Sequence, residues 1–441
     1  MKKYFERMMK IAIPIILSNL VGQLQMLIDR VFLGKLDITC MSAVGNASSP
    51  MWTTMDTVFT LTTGGTILIS QAIGEGNKEK AKAITNSLFL YNNVLSIFWF
   101  LFWFFGSRFA FRLMHVPESI IDMSVDYAKY FAPSFLLLGI GASVMTLLQV
   151  SEKTKIMAVY GLIRAGTNVF LDYCMIFGNL GFKRMEVSGA ALATTIAEVI
   201  GDIVVVVYVL MSKELWLKPS FKEIIGAKIG YYWTSVKVGI PTALEGFAWN
   251  LGNLFLIAML NHVSDTAAGI YSIVFGVECI PIVVFGAIGN ATLTLSGQET
   301  GKKDYKAIKD IVRTGFVSSV VMAVVMLILF IIFPETIMGW FTTDAAIIAA
   351  SAIYLLIVGI DLFPKSANII IGSGIKGHGD TKWMLGTQIF GTIFVISMSA
   401  IMVLVLGLGM AQLFCVVVAD EVLRSIVNYW KLRKISSKTA I

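Results

Sequence analysis

Residues 187–211 read VSGAALATTIAEVIGDIVVVVYVLM, an apolar run that holds two charged side chains, Glu198 and Asp202. About 20 apolar residues in a helix cross the hydrocarbon core of a bilayer, and this run is longer than that. The whole chain shares this character, since 56% of its 441 residues are hydrophobic and 14% are charged. Soluble domains carry about 25% charged residues. The composition therefore excludes a soluble enzyme, and predicts an integral membrane protein.

Similar runs flank this segment on both sides and predict about twelve transmembrane helices. They lie near residues 9–32, 50–73, 84–106, 121–148, 156–178, 187–211, 238–260, 267–296, 308–333, 345–372, 384–406 and 410–430. The strands of a β-barrel would alternate polar and apolar residues in short segments. Because these runs are longer and uniformly apolar, the predicted fold class is an all-α polytopic membrane protein.

The longest polar stretch, residues 212–237, follows the quoted segment and divides the chain into two similar halves. Ile13-Pro14 recurs as Ile240-Pro241, and Gln71-Ala-Ile-Gly74 recurs as Gln298-Glu-Thr-Gly301, both at one common offset along the chain. Each half crosses the membrane an even number of times, which predicts two parallel six-helix repeats, typical of transporters. The predicted domains are a first lobe at 1–211, a cytoplasmic linker at 212–237, a second lobe at 238–430 and a cytoplasmic tail at 431–441.

Loop charge predicts the orientation of the chain in the membrane. About 24 basic residues fall in the loops of one side and about five in those of the other. Positive loops stay in the cytoplasm, so we expect both termini inside, in the plasma membrane. The net charge of +7 is assigned to these loops, and no nucleic-acid partner is expected. The four cysteines are scattered and predict neither a disulfide framework nor a zinc site.

Ionisable residues inside the predicted crossings cost a few kcal/mol each and usually face a cavity. The first half holds Asp29, Asp56, Arg164, Asp172, Glu198 and Asp202. The second half holds Glu245, Glu278, Asp361, Lys365, Asp420, Glu421 and Arg424.

One group of polar residues in the first half is predicted to form a cation site. Asn168 and Asp172 are four residues apart and share a helix face. At a rise of about 1.5 Å per residue, Asp29 on the first helix and Thr194 on the sixth lie at a similar depth, in the outer half of the lobe. Two carboxylates, an amide and a hydroxyl suit a hard cation such as Na+. The same two carboxyls could share a proton instead, and the residue types leave both ions open.

Three segments resemble signatures of the multidrug and toxic compound extrusion (MATE) transporters. They are Pro14…Asp29-Arg-Val-Phe-Leu-Gly34, Asn168-Val-Phe-Leu-Asp172 with Val187-Ser-Gly-Ala-Ala-Leu-Ala-Thr194, and Gly377-His-Gly-Asp380-Thr381. The resemblance implies two six-helix lobes in a V-shaped arrangement. It also implies export of small amphipathic, often cationic, drugs or toxins in exchange for Na+ or H+. We expect a monomer in the lipid bilayer, with no cofactor besides the coupling ion.

The resemblance also assigns roles to individual residues. The first-lobe cation site of the DinF-like branch uses an Asp on the first helix, Asn and Asp on the fifth and a Thr on the sixth. Motif by motif, these fall on Asp29, Asn168, Asp172 and Thr194. The tyrosine that this branch carries one turn before the first Asp is Gln25 here, so substrate contacts at that position are expected to differ.

The chain departs from the NorM branch, which stresses acidic residues of the second lobe. The seventh-helix Glu of that branch falls on Trp249, and the tenth-helix Asp falls on Lys365. A lysine is hard to reconcile with Na+ binding, so coupling is predicted in the first lobe. We expect Lys365 to be neutralised by one of four acids, Asp361, Glu245, Glu278 or Glu421. The candidate residues of the substrate cleft are Gln25, Glu245, Glu278 and Lys365.

Two other functions are weighed against antiport. A flippase or exporter of lipid-linked or other specific metabolites would need a more basic cleft, for which Arg164 and Lys365 are available. A membrane-embedded enzyme would need a catalytic constellation. The sequence has no HExxH motif and no loop large enough for a catalytic domain, and the histidines lie in or near loops. An enzyme is therefore not expected.

Overall fold

The computed structural model describes residues 2–264 and 266–437, and all regular secondary structure in this part of the chain is helical. The first half contains α1 (Lys2–Gly34), α2 (Ile38–Gly74), α3 (Lys78–Leu113), α4 (Glu118–Phe131), α5 (Phe135–Val150), α6 (Lys155–Phe177) and α7 (Glu186–Met211). A short α8 (Phe221–Ile225) follows. The second half contains α9 (Ile229–Val263), α10 (Ala267–Gly301), α11 (Tyr305–Ile332), α12 (Pro334–Gly339), α13 (Ala345–Gly377), α14 (Thr381–Ala400) and α15 (Met410–Ser436). The all-α prediction is confirmed.

Most of the long helices are apolar enough to cross a membrane. Within the described ranges, nine helical segments meet this condition by length and composition. The other long helices, α2, α6 and α15, have 37, 23 and 27 residues. α6 and α15 carry several of the ionisable residues named above, among them Asp172 and Arg424. The protein is therefore multi-pass, and its more polar helices hold much of the buried charge.

Some predicted boundaries differ from the observed ones. The predicted crossing at 121–148 is interrupted by a 3-10 turn, Ala132–Ser134, because Pro133 lacks the N–H that a continuous helix needs. α9 begins at Ile229, inside the predicted linker 212–237. α15 continues to Ser436, inside the predicted tail, and residues 438–441 of that tail lie outside the described residues.

The helix boundaries repeat with the period found in the sequence. Gly74 ends α2 and Gly301 ends α10, and these two glycines are related by the same offset as Pro14 and Pro241. Lys78 begins α3 and Tyr305 begins α11, again at that offset. The duplication thus extends from short sequence matches to the ends of the helices.

The chain folds into two compact units, each with its own core. The first-lobe unit comprises Ile13–Ile69 and Asn77–Gly239. The second-lobe unit comprises the residues before Ile13, Ser70–Gly76 and the chain from Ile240 onward. The divisions within α1 and α9 fall directly before the repeated Ile-Pro pairs, Ile13-Pro14 and Ile240-Pro241. Both units are therefore assembled from separate stretches of the sequence.

Aromatic and aliphatic side chains fill the two cores. In the first-lobe unit, Trp103, Phe111, Phe131 and Phe135 are buried among aliphatic residues of α2 to α7. In the second-lobe unit, Phe285 and Phe330 belong to a corresponding cluster. These cores fix the helices that carry the polar residues described below.

Glycines of the repeated Gln-x-x-Gly motif allow α2 and α10 to approach closely within the second-lobe unit. A Cβ atom on Gly74 would overlap the carbonyl oxygen of Gln298. A Cβ atom on Gly301 would overlap the carbonyl oxygen of Gln71. The contact is reciprocal between the two copies of the motif, so the motif is explained by backbone packing.

This contact predicts that Gly74→Ala destabilises the protein. The added methyl group would overlap the backbone of α10, and such overpacking costs about 1–3 kcal/mol. Thermal unfolding of the purified protein should therefore begin at a lower temperature. Gly45→Ala is the matched control on the same helix, because its Cβ would meet nothing within 4 Å. Equal unfolding temperatures for the two variants would contradict this account of the motif.

Candidate functional site

The four predicted cation-site residues lie together in the first-lobe unit. One polar atom of the Asn168 amide lies 2.9 Å from Asp29 Oδ1 and 3.3 Å from Asp172 Oδ2. The other polar atom lies 3.2 Å from Thr194 Oγ1. Asp29 and Asp172 therefore approach the same atom of the Asn168 amide. Asn168, Asp172 and Thr194 are buried.

Close helix packing explains why these side chains meet. A Cβ atom on Gly161 of α6 would lie 2.6 Å from Ser18 Oγ of α1. A Cβ atom on Gly189 of α7 would lie 2.8 Å from the backbone of Met175 on α6. Because the missing side chains let α1 and α7 approach α6, short side chains from all three helices reach one another.

Gln25 belongs to this cluster. It is buried, lies one turn before Asp29 on α1, and its amide nitrogen is 2.9 Å from the Asn168 amide. The structure thus places Gln25, predicted as a cleft residue, beside the carboxylates.

The carboxyl pair defines what this cluster can do chemically. Two carboxylates in contact repel each other unless one carries a proton or a cation lies between them. The surrounding amides and hydroxyl supply further oxygen donors of the kind that hard cations prefer. The arrangement can therefore hold a proton or a small monovalent cation.

A second polar group continues along α6 and α7. Arg164 Nη1 lies 2.6 Å from Glu198 Oε1, and the hydroxyl of Tyr160 donates a hydrogen bond of 3.1 Å to Glu198 Oε2. The site prediction did not include these residues. The signal that could have found them is spacing, since Arg164 precedes Asn168 by four residues and Glu198 follows Thr194 by four.

In the second-lobe unit, Lys365 binds two acids. Its Nζ contacts Glu278 and lies 2.8 Å from Asp361 Oδ2. Glu245, another of the four expected partners, instead pairs with Lys376 at 3.3 Å. The structure therefore brings Glu278 and Lys365 together and leaves Glu245 in a separate ion pair.

Arg424 is also shared between two acids. Its Nη2 lies 2.8 Å from Asp420 Oδ2 and 3.0 Å from Glu421 Oε1. Gln388 accepts a hydrogen bond of 2.8 Å from Arg424, and Asn368 donates one of 2.9 Å to Glu421. With Lys365 and its partners, this part of the lobe holds two cations among four acids.

Both ion clusters line one cavity in the second-lobe unit. Aromatic side chains from three helices form part of its lining, namely Trp249, Tyr271, Phe275 and Phe414. Tyr271 and Phe275 are stacked, with ring centroids 6.0 Å apart. Apolar pockets with a few convergent polar groups are typical ligand sites, and aromatic faces with acids suit an organic cation.

Comparisons with known proteins follow the internal repeat of the chain. The profile of the MatE family matches residues 14–174 and 241–401, two segments whose first and last positions are related by the repeat offset. The probable multidrug resistance protein NorM of Thermotoga maritima is 27% identical over 427 residues, covering 95% of this chain and 90% of that protein. The FAD transporter of Shewanella oneidensis is 22% identical over 373 residues, covering 82% of this chain and 80% of that protein.

Solved structures share the fold. An outward-facing multidrug resistance MATE family transporter has a TM-score of 0.90 at 18% identity, covering 99% of this chain and 97% of that one. A MOP superfamily transporter from Pyrococcus furiosus has a TM-score of 0.89 at 17% identity, with the same coverage. The family profile matches most of the chain, in two copies that coincide with the structural repeat. The chain is therefore a multi-pass membrane transporter of the MatE family and not an enzyme.

Proposed function

We propose that this chain is a secondary active multidrug efflux antiporter, which exports amphipathic, often cationic, organic compounds in exchange for Na+ or H+. The observation that carries the proposal is the convergence of Asp29 and Asp172 on the Asn168 amide, at 2.9 and 3.3 Å. The names of relatives support the substrate class, since the Thermotoga maritima protein is described as a probable multidrug resistance protein.

Electrostatics connects the Asp29–Asp172 pair to antiport. A cation or proton that enters the pair removes the repulsion between the carboxylates and stabilises their close approach. An ion drives transport only if its affinity differs between the two conformations of the protein. A membrane potential of 100 mV supplies about 2.3 kcal/mol per net charge moved, so each exchanged ion can drive modest uphill export.

The cavity of the second-lobe unit is the proposed binding site for the exported compound. Its aromatic side chains offer stacking surfaces for a flat ring system. Its acids outnumber its cations, because Lys365 and Arg424 are each shared by two carboxylates. A positively charged compound would reduce this excess of negative charge.

The same excess disfavours the alternative, a transporter of anionic compounds such as lipid-linked precursors. Arg164 and Lys365 are the two basic residues considered for an anion site, and both are paired with acids. An anion in the second-lobe cavity would face four carboxyl groups. One relative, the FAD transporter of Shewanella oneidensis, is named for an anionic compound. The alternative is therefore tested below.

The cellular arrangement is proposed from loop charge. The excess of lysines in alternate loops supports cytoplasmic termini and insertion in the plasma membrane. We propose that the monomer is the transport unit, because each unit holds its own site residues.

Asp172→Asn is expected to abolish ion-driven export. The substitution keeps the shape of the side chain and removes the second carboxylate of the pair. The affinity for the ion then no longer differs between the two conformations of the protein. Proteoliposomes containing the full chain would be assayed with ethidium, a flat aromatic cation, under a Na+ gradient or a proton gradient alone. Wild type should export ethidium under at least one gradient, and Asp172→Asn under neither.

Asp126→Asn is the control for this assay, since Asp126 is an exposed acid of the same lobe. It should export ethidium like wild type. Coupled export by Asp172→Asn at the wild-type rate would reject the first-lobe site. Export of FAD but not ethidium by wild type would favour the anionic alternative.

Trp249→Ala is expected to weaken binding of aromatic cations. Trp249 packs against Phe275 with ring centroids 6.0 Å apart at the wall of the cavity. A cation–π contact is worth about 0.5–2 kcal/mol, so the KM for ethidium should rise about two- to thirtyfold. Trp340→Ala is the control, because Trp340 is 75% exposed and lies outside the cavity. An unchanged KM in Trp249→Ala would exclude this wall from the binding site.

Lys365→Met is expected to destabilise the protein, by an amount that depends on pH or on the Na+ concentration. It leaves Glu278 and Asp361 without their shared cation, and breaking a buried ion pair costs about 3–5 kcal/mol. Unfolding temperature should fall at neutral pH and recover as the pH is lowered, because protonation removes the uncompensated charge. The double variant Lys365→Met/Asp361→Asn should recover part of the loss at neutral pH.

Arg108→Gln is the control for charge loss at the surface. It breaks an exposed pair with Asp122, and such pairs contribute about 1 kcal/mol or less. If Lys365→Met were as stable as Arg108→Gln at every pH and Na+ concentration, Lys365 would not serve as the counter-ion of this lobe.

A further inference from the structure

A continuous column of polar side chains runs along the contact of α6 and α7 in the first-lobe unit. On α6 its members follow at intervals of four residues, Tyr160, Arg164, Asn168 and Asp172. On α7 they follow at the same interval, Thr194, Glu198 and Asp202. This spacing places each set on one helix face. Asp202 is eight residues beyond Thr194, which is about 12 Å along the helix axis.

Glycines on three helices leave room for this column. A Cβ atom on Gly22 of α1 would lie 3.0 Å from the Arg164 guanidinium. A Cβ atom on Gly201 of α7 would lie 2.7 Å from the Tyr160 ring, and one on Gly141 of α5 would lie 2.6 Å from Asp202 Oδ1. Buried charged and aromatic groups therefore occupy the space left by the missing side chains of these glycines.

The two acids at the far end of the column have unequal partners. Glu198 accepts hydrogen bonds from both Arg164 and Tyr160. Asp202 is 7% exposed, and no residue in the described part of the chain donates a hydrogen bond to it. The ionisable groups that face Asp202 are Glu198 on its own helix and Arg164 and Tyr160 on α6. α5, which lies against its carboxyl group, contains no charged residue.

We propose that Asp202 binds a proton and forms, with Tyr160, Arg164 and Glu198, a proton site of the first lobe that is separate from the Asp29–Asp172 pair. Two carboxylates one turn apart in a low-dielectric interior do not both ionise readily. Glu198 accepts hydrogen bonds from two donors, so the proton bonds instead to a carboxyl oxygen of Asp202. On release, the proton passes to water at the exposed edge of that carboxyl.

Arg164 is placed to couple this site to the Asp29–Asp172 pair, and this step rests on the proposed function. Its Nη1 binds Glu198, whereas its Nη2 lies beside Gly22, on the α1 face that also carries Gln25 and Asp29. Its Nε is buried without a partner in the described chain. A cation bound at Asp29 and Asp172 would repel the guanidinium toward Glu198. The added positive charge near Asp202 would then favour loss of its proton.

Infrared spectroscopy of the purified full chain in lipid nanodiscs tests the proton site. At neutral pH a protonated buried carboxyl gives a C=O stretching band that ionised surface carboxylates lack. Asp202→Asn should lose one such band, and Asp126→Asn, the exposed control, should keep the wild-type spectrum. A spectrum of Asp202→Asn identical to wild type in this region would overturn the proposal.

Gly141→Ala keeps the test decisive if Asp202→Asn does not fold. The added methyl group would press on the Asp202 carboxyl, so the frequency of its band should change. The control is Gly45→Ala, whose added methyl meets open space in the same lobe. An unaltered carboxyl band in Gly141→Ala would also count against a protonated Asp202.

The coupling step is tested by the pH dependence of ethidium export in proteoliposomes. Arg164→Gln removes the positive charge near Asp202, so the pH profile of export should shift relative to that of wild type. Arg164→Lys should restore most of the wild-type profile. An unshifted profile in Arg164→Gln, with wild type exporting normally, would overturn the coupling. If wild type exports no ethidium, the proposed function fails, and the infrared result still decides on Asp202.

Discussion

The arrangement of this protein depends on the cost of placing charged side chains inside membrane-spanning helices. Every buried cation discussed above is shared between acids or held by one, as Lys365 is by Glu278 and Asp361 and Arg164 by Glu198. Because an unpaired charge in this environment costs several kcal/mol, these pairs fix which helix faces turn inward. The rotation of each helix about its axis and the positions of its polar residues therefore both follow from the need to pair buried charges.

Glycine provides the space that this constraint requires. Several positions where a Cβ atom would collide lie beside backbone or beside the polar groups themselves, as Gly141 does beside Asp202 and Gly391 beside Asp420 and Arg424. A helix of larger residues would hold these groups farther apart, where their pairing would be weaker. The apolar majority of the sequence therefore gives membrane insertion, and small residues permit the polar contacts inside it.

The sequence predicted the helices, the duplication and the group around Asp172 because these features follow from spacing along single helices and from depth in the membrane. It did not predict which of four acids binds Lys365. That choice depends on the rotation and register of neighbouring helices, which put Glu278 and Asp361 next to the lysine and Glu245 next to Lys376. Long-range packing of this kind leaves no periodic signal in the sequence.

The duplication also explains why the two lobes are expected to do different work. At the offset that relates Pro14 to Pro241, Asp29 corresponds to Leu256 and Asn168 to Val395, so the second lobe lacks a copy of the first-lobe carboxyl site. Both substitutes line the aromatic cavity. Arg164 corresponds to Gly391, which instead makes room for Arg424 and Asp420. The two lobes thus share their helices but carry different side chains at equivalent positions. The first lobe has a carboxyl site suited to a small ion, and the second has a pocket suited to a larger cation.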